Sequence, residues 1–307
     1  MVHPVKYSIV VPVYNSEQSL EELFAGIKAV FDERSETFEV IFVEDNGQDN
    51  SWEVLKKLKG QYPDLITAVK LSKNFGQHNA TFCGLGFSKG ERVITIDDDL
   101  QTPPGEIDKL IRACETNQTE LIYGCYGKKS HSRVRNMGSK SLKKSSKLIH
   151  DGPGDGSSFR LISGELVKKI LHHQQHFIFL EEVLHWYTSD FEFVEVIHLP
   201  RKYRQSGYSI RKLVKLMANL MLYYTMVPLK FLVYGGFFIS LITFIYGTYF
   251  ILKKIFLDVP LGFTSLIVTI LFSTSIILFS LGVLGEYLSR IYQLQNRKPT
   301  FSIKKVL

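Results

Sequence analysis

The chain of 307 residues is poorest in acid where it is richest in base. Residues 201–307 hold only two acidic residues, Asp258 and Glu286, against 14 Lys and Arg, a balance of +12. Residues 1–100 balance at −6 and residues 101–200 at +1, so the formal net charge of +7 belongs to the last third. That third also carries the longest apolar runs. Positive charge beside apolar runs suits the cytosolic face of a membrane, whereas a nucleic-acid partner needs a basic face on a folded domain. No nucleic-acid partner is expected. Cysteine is scarce as well. Cys83, Cys114 and Cys125 form no CxxC pair, and His78 does not complete a ligand pattern with Cys83, which points to buried thiols in a reducing compartment. No GxGxxG follows the first apolar strand and no GxxxxGK[ST] occurs, so dinucleotide and P-loop chemistry have no support. Residues Met1–Lys6 lack the long apolar core of a signal peptide, which places the body of the protein in the cytosol. With 45% hydrophobic and 13% aromatic residues the chain is not a disordered one, and its length suits about two domains.

Two uncharged apolar segments, 231–252 and 261–285, reach the roughly 20 residues that a bilayer crossing needs. The connector Lys253–Pro260 is short, so the two form an antiparallel hairpin. Nine basic residues stand outside it (Arg211, Lys212, Lys215, Lys230, Arg290, Arg297, Lys298, Lys304, Lys305), against Lys253 and Lys254 in the connector. That asymmetry places both ends in the cytosol. Ahead of the hairpin, Tyr208–Val227 alternates apolar and basic residues at helical spacing. The pattern fits a helix in the lipid interface or one packed on a soluble domain, and the span that follows favours the first. The expected organisation is a cytosolic domain 1–203, an amphipathic segment 204–228, a transmembrane hairpin 229–290 and a basic cytosolic tail 291–307.

Residues 1–200 alternate strand and helix. Strands are expected at Tyr7–Val13, Phe38–Val43, Ile66–Leu71 and Arg92–Ile96, with helices at Ser16–Phe31, Ser51–Lys59 and Gln77–Ser88. Near-continuous apolar strands separated by helices predict an α/β fold, a Rossmann-like and mostly parallel sheet covered on both faces. Ligands bind beyond the carboxyl ends of such strands. Pro12-Val13-Tyr14-Asn15, Glu44-Asp45 and Asp97-Asp98-Asp99 all fall there. Three adjacent carboxylates repel one another unless a positive charge sits among them, and hard divalent cations take oxygen ligands. A solvated acidic loop would read the same way in isolation; three strand ends delivering polar groups to one edge favour a cleft.

These segments, with Leu71-Ser72-Lys73-Asn74-Phe75-Gly76-Gln77-His78 and Asp97-Asp98-Asp99-Leu100-Gln101-Thr102-Pro103-Pro104, occur in order at the spacing of a known family. They resemble the family-2 inverting glycosyltransferases of GT-A fold, in the branch of dolichyl-phosphate mannose synthase. The segment Gly282–Tyr292 is similar to bacterial membrane enzymes that load a sugar onto undecaprenyl phosphate. The resemblance implies a nucleotide-sugar donor with uridine as its base, a polyprenyl phosphate acceptor, Mg²⁺ or Mn²⁺, and a homo-oligomer. It places the enzyme in the inner (plasma) membrane as a two-pass protein with a cytosolic catalytic domain.

Residue by residue, the resemblance implies that Pro12, Tyr14, Asn15, Glu17, Val43, Asp45, Lys73, Asp97, Asp98, Arg201 and Arg204 hold the nucleotide sugar. Asp99 and Gln101, with Asp97, would bind the metal, and Asp97, Asp99, Arg160 and Arg201 form the catalytic set. Arg133, Arg135, Ser158 and Arg160 would meet the acceptor phosphate. Residues 128–147 carry eight basic residues and no acid, which suits anionic headgroups as well as a solvated face. The chain departs from the family pattern at Ser16, where Glu17 stands in for a glutamate, and at Asn46, which replaces a turn glycine. It departs again at Ser158, in place of an aspartate, and at Gly207, in place of a donor-phosphate lysine that Arg204 would replace. Other readings are transfer to a different lipid or glycan acceptor, and a membrane scaffold that has lost catalysis. The intact Asp97, Asp99 and Gln101 argue against the scaffold.

Overall fold

The computed structural model describes residues 5–126, 157–172, 178–200 and 202, parts of 231–256, and residues 262–295 and 299–307. The chain forms two compact units, Met1–Gly207 with Pro299–Leu307, and Tyr208–Lys298.

The first unit is built on eight strands in the order β7-β5-β6-β4-β1-β2-β3-β8. At its centre β4 (Arg92–Thr95), β1 (Tyr7–Val13), β2 (Phe38–Glu44) and β3 (Ile66–Leu71) run parallel. All seven residues of β1 and of β2 are buried, as strands covered on both faces require. Beyond β4, strand β6 (Arg160–Ser163) runs antiparallel to both β4 and β5 (Leu121–Tyr126), and β7 (Phe191–Val196) runs parallel to β5. The sheet is mixed rather than purely parallel, with the expected parallel block intact.

Helix α1 (Leu20–Arg34) buries Leu20, Leu23, Phe24, Ile27 and Phe31, a stripe at three- and four-residue steps. With α2 (Ser51–Gln61) and α4 (Ile107–Asn117), it packs on the sheet face that carries Ile9, Val11 and Val13. Helix α3 (Gln77–Leu85) lies over β1 and β2 on the opposite face, where Gly84 brings its backbone against Val10 and Val43. Helices α5 (Gly164–Leu171) and α6 (Leu180–Tyr187) follow β6. Cys83 and Cys114 are buried and Cys125 half-buried, all free thiols; burial pushes the Cys83 thiol up to about 12.

Two elements depart from expectation. Helix α1 begins at Leu20, not Ser16, because residues 14–19 are held by tertiary hydrogen bonds described below. The terminal residues, expected as part of a basic tail, form β8 (Ile303–Val306), antiparallel to β3. Leu307 exchanges backbone bonds with Ala68 (2.9 and 3.3 Å), and Ser72 N donates to Ser302 O (2.8 Å). The sheet edge at β3 is therefore covered by the chain's own last residues.

In the second unit, helix α7 (Phe263–Gln295) is 33 residues long. Its segment Phe272–Ser289 is, among the described residues, the one stretch long and apolar enough to cross a membrane. The amphipathic segment 204–228 lies outside the described residues, and the expected span 231–252 lies partly outside them.

Candidate active site at the carboxyl edge of the sheet

Parallel pairing brings the ends of β4, β1, β2 and β3 to one edge, where Pro12 lies opposite Val43 and Val13 opposite Glu44. The loops that leave this edge are stitched together. Asn15 takes a left-handed backbone (φ 51°) and its Oδ1 accepts from Gln48 N (2.6 Å). Glu17 N donates to Asp49 (2.9 Å), and Glu17 Oε2 accepts from Asn50 N (2.9 Å). Ser16 N donates to Ser51 Oγ (2.8 Å). Asn46 adopts φ 51°, the left-handed angle expected of a residue in place of the turn glycine. Tyr14 is exposed at the rim of this loop, and Pro12 and Val43 are buried beneath it.

Asp45 is buried, and its two oxygens accept from Phe75 N (2.7 Å) and Gly76 N (2.8 Å). Burial raises its carboxyl to about 6 against the lowering effect of these two bonds. The residue thus fixes the loop between β3 and α3, on which Lys73 is exposed with its ammonium 5.0 Å from the Phe75 ring centroid.

The three consecutive carboxylates after β4 take three directions. Asp97 Oδ1 accepts from Gln77 Nε2 and Oδ2 from Ser158 Oγ, both at 2.6 Å. Asp98 Oδ2 turns back to β1, accepting from Tyr14 N (2.9 Å) and Ser16 Oγ (2.5 Å). Burial is the main cause that lifts Asp98 to about 7; its two bonds oppose the lift and the neighbouring Asp97 and Asp99 add to it. Asp99 Oδ1 accepts from Gln101 N (3.1 Å) across Leu100, whose φ of 58° is unusual for a bulky residue and whose side chain is buried in the core. The Gln101 side-chain nitrogen lies 3.2 Å from both His198 Nε2 and Leu199 O.

Arg160 is buried at the start of β6, opposite Thr95 and Tyr123. Its guanidinium carbon stands 5.6 Å from the Tyr123 ring centroid. Among the described residues its Nε and Nη1, and the Tyr123 hydroxyl, have no hydrogen-bond partner. Such a group is costly unless an anion or water meets it. Half-buried His78 packs against Phe179 (4.7 Å between rings), and burial with the Arg160 charge lowers its imidazole to about 4. His78 is therefore neutral at pH 7.

Asp99 and Gln101 carry oxygen atoms of the kind that a hard divalent cation completed by substrate phosphates would take. Among the described residues, no three His, Cys, Asp or Glu side chains converge as a metal cage. Both Asp97 oxygens are engaged by Gln77 and Ser158. The expected Arg133, Arg135, Arg201 and Arg204 lie outside the described residues.

Residues 8–171 match the family described as Glycosyl transferase family 2, more than half of the chain. An uncharacterised glycosyltransferase of Synechocystis sp. is 32% identical over 306 residues, covering 97% of this chain and 95% of that one. The chain belongs to glycosyl transferase family 2. This glycosyltransferase is also 29% identical over 307 residues to the SfII prophage-derived bactoprenol glucosyl transferase of Shigella flexneri, covering 98% of each. It is 29% identical over 308 residues to the undecaprenyl-phosphate 4-deoxy-4-formamido-L-arabinose transferase of Edwardsiella ictaluri, covering 98% of this chain and 94% of that one. Among solved structures, the fold is similar to that of glucosyl-3-phosphoglycerate synthase from Mycobacterium tuberculosis. The TM-score is 0.50 at 16% identity, with 71% of this chain and 78% of that one covered.

Several contacts of this glycosyltransferase escape sequence reasoning. Gln77 and His198 reach the carboxylate turn from elements 20 and 97 residues away in sequence. Only strand order brings them near. Ser16 and Ser158, each a departure from the family pattern, are hydrogen-bond donors to Asp98 and Asp97.

Proposed function

We propose that this glycosyltransferase moves one sugar from a nucleotide-sugar donor to a polyprenyl phosphate at the cytosolic leaflet of the inner membrane, with inversion at the anomeric carbon. The observation that carries the reading is likeness along nearly the whole of both chains to relatives named for bactoprenol and undecaprenyl-phosphate transfer. Buried Arg160, with its Nε and Nη1 unmet, supports an anionic acceptor. A lipid monophosphate has a second pKa near ~6, so it is largely a dianion at neutral pH and needs no strong general base. Its oxygen attacks the anomeric carbon as the bond to the nucleoside diphosphate breaks, and positioning with charge neutralisation does the rest. Arg160 orients the acceptor; Tyr14, Asn15 and the loop that Asp45 fixes shape the nucleotide side. Asp99 and Gln101 would hold a divalent cation, whose charge would neutralise the departing diphosphate. Arg201 assists on the donor and Arg133 or Arg135 on the acceptor.

Strand β8 bears on the membrane topology. It completes the sheet begun by residues 7–13, so the chain between residues 207 and 299 crosses any bilayer an even number of times. A crossing at Phe272–Ser289 would pair with a second, and residues 231–252 are the apolar run able to supply it.

Membranes carrying the chain, incubated with a panel of nucleotide sugars and undecaprenyl phosphate, should yield a polyprenyl-linked sugar identifiable by mass. Asp99→Ala should abolish the product while the protein stays folded and in the membrane. Absence of such a lipid with every donor defeats the proposal, and wild-type activity in Asp99→Ala defeats the metal assignment.

A further inference from the structure

The segment that follows β7 runs beside the turn after β4 and is fastened to it repeatedly. Ile197 N donates to the buried Glu106 carboxylate (3.0 Å), and Leu199 N donates to Gln101 O (2.7 Å). Between them, His198 packs against Tyr126 with ring centroids 4.0 Å apart and planes tilted by 39°, and the Tyr126 hydroxyl lies 3.3 Å from Thr102 Oγ1. The imidazole is thus placed by its own neighbours at the position where it meets Gln101.

The orientation of the Gln101 amide follows from the chemistry of those neighbours. A backbone carbonyl only accepts, so the amide atom 3.2 Å from Leu199 O is the nitrogen and not the oxygen. A primary amide nitrogen has two N–H groups. One points to Leu199 O and the other to His198 Nε2, also at 3.2 Å, so His198 accepts there as the Nδ1–H tautomer, although its buried Nδ1 meets no hydrogen-bond acceptor among the described residues. The amide oxygen then faces away from residues 198–199. The Gln101 backbone N–H meanwhile donates to Asp99 Oδ1 (3.1 Å), which ties the Asp99 carboxylate to the backbone of Gln101.

We propose that His198 is a positioning residue for the metal site: by accepting from Gln101 Nε2 it locks the amide so that Oε1 is presented as a cation ligand. This rests on the reading of Asp99 and Gln101 as the metal-binding pair. A ligand's outer partner fixes its orientation and typically carries about 10- to 100-fold in metal affinity. Without the histidine, the amide loses one of the acceptors that orient its nitrogen, so Oε1 is held less firmly for the cation.

The test is Mn²⁺ titration of the full-length chain in detergent, with free Mn²⁺ read from its electron paramagnetic resonance signal. His198→Phe keeps a ring to pack against Tyr126 but has no acceptor, and should weaken Mn²⁺ binding about 10-fold or more. His198→Gln loses the ring but keeps an acceptor oxygen near the Nε2 position, and should stay within about 3-fold of wild type. Added to Gln101→Ala, the His198→Phe change should cost less than about 2-fold, because the group it positions is gone. Wild-type affinity in His198→Phe, weak binding in a folded His198→Gln, or an undiminished cost in the Gln101→Ala background would each overturn the assignment. The underlying reading fails separately. If the wild-type chain binds no Mn²⁺, or Asp99→Ala binds it as tightly as wild type, the metal site is not here, whatever His198 does.

Discussion

Two glycines in helices of the same sheet domain should respond to alanine with opposite signs. In α3, a Cβ on Gly84 would fall inside van der Waals contact of Val10 Cγ1 on β1 and 3.1 Å from Val43 Cγ2 on β2. Both valines are fully buried and β-branched, so neither methyl has a free rotamer into which to retreat. The helix must lift from the sheet, and overpacking of this kind costs about 1–3 kcal/mol. Contact with two strands at once places Gly84→Ala near ~3. Alanine recovers about 1 kcal/mol of helix propensity, which leaves a net loss of about 2. In α2, a Cβ on Gly60 meets nothing within 4 Å, so Gly60→Ala should gain about 0.5–1 kcal/mol. At roughly 2–4 °C per kcal/mol for a domain of this size, the two variants should melt about 5–12 °C apart. Differential scanning fluorimetry of the purified full-length chain reads this directly. Because α3 begins at Gln77, which holds Asp97, Gly84→Ala should also lower transfer at temperatures where the protein is still folded. A Gly84→Ala variant that melts at or above Gly60→Ala would refute the placement of α3 on the sheet.

The Asp98 carboxyl, raised from 3.8 to about 7, favours the folded state below its ordinary pKa and loses that contribution as pH rises through about 7. In chelator, stability from this group should decline between pH 4 and 7 by at most about 4 kcal/mol, and Asp98→Asn, whose carbonyl can accept from Tyr14 N and Ser16 Oγ, should remove that decline. Identical pH profiles for the two proteins would show that Asp98 is not held as described. Deleting residues 302–307 removes the Ala68–Leu307 pair and the Ser72–Ser302 bond, and should destabilise the sheet domain by about 2–4 kcal/mol in chemical denaturation. It also bares the β3 edge, so the truncated chain should self-associate in size-exclusion chromatography. A monodisperse truncation of unchanged stability would mean that β8 does not cover that edge.

The parallel block could be seen in the sequence because its signal is local. Runs such as Tyr7–Val13 and Ile66–Leu71 are apolar enough to be strands buried on both faces, and their ends coincide with those observed. The carboxylate turn was visible for the same reason. What escaped depends on distant chain. Ser16 looks like the first residue of a helix, yet its N–H goes to Ser51 and its hydroxyl to Asp98, so the helix starts four residues later. Thr300–Leu307 reads as a basic tail because Lys304 and Lys305 dominate it; only the open edge of β3 makes it a strand. Burial of Arg160 could not be anticipated either, since a run of four residues does not say which strands will flank it.

Three adjacent carboxylates pose an electrostatic problem, and the fold answers it by division of direction. Asp97 is drawn to α3 and the approach to β6, Asp98 to the loop after β1, and Asp99 to its own turn. With its carboxyl lifted to about 7, Asp98 carries only part of a charge near neutrality, which lessens the repulsion on its neighbours. Its work is mechanical: it ties the end of β4 to the residues around Tyr14. The left-handed Leu100 completes the arrangement. A bulky residue at φ 58° costs on the order of 1–3 kcal/mol, and the burial of its side chain in the core offsets that cost. The strained turn lets Asp99 accept from Gln101 N, while Gln101 is fastened on its other side to residues 198–199. Asp99 and Gln101 are thus held from both directions by the protein's own groups, an arrangement that under the proposed function would be preorganised for a cation and a departing diphosphate.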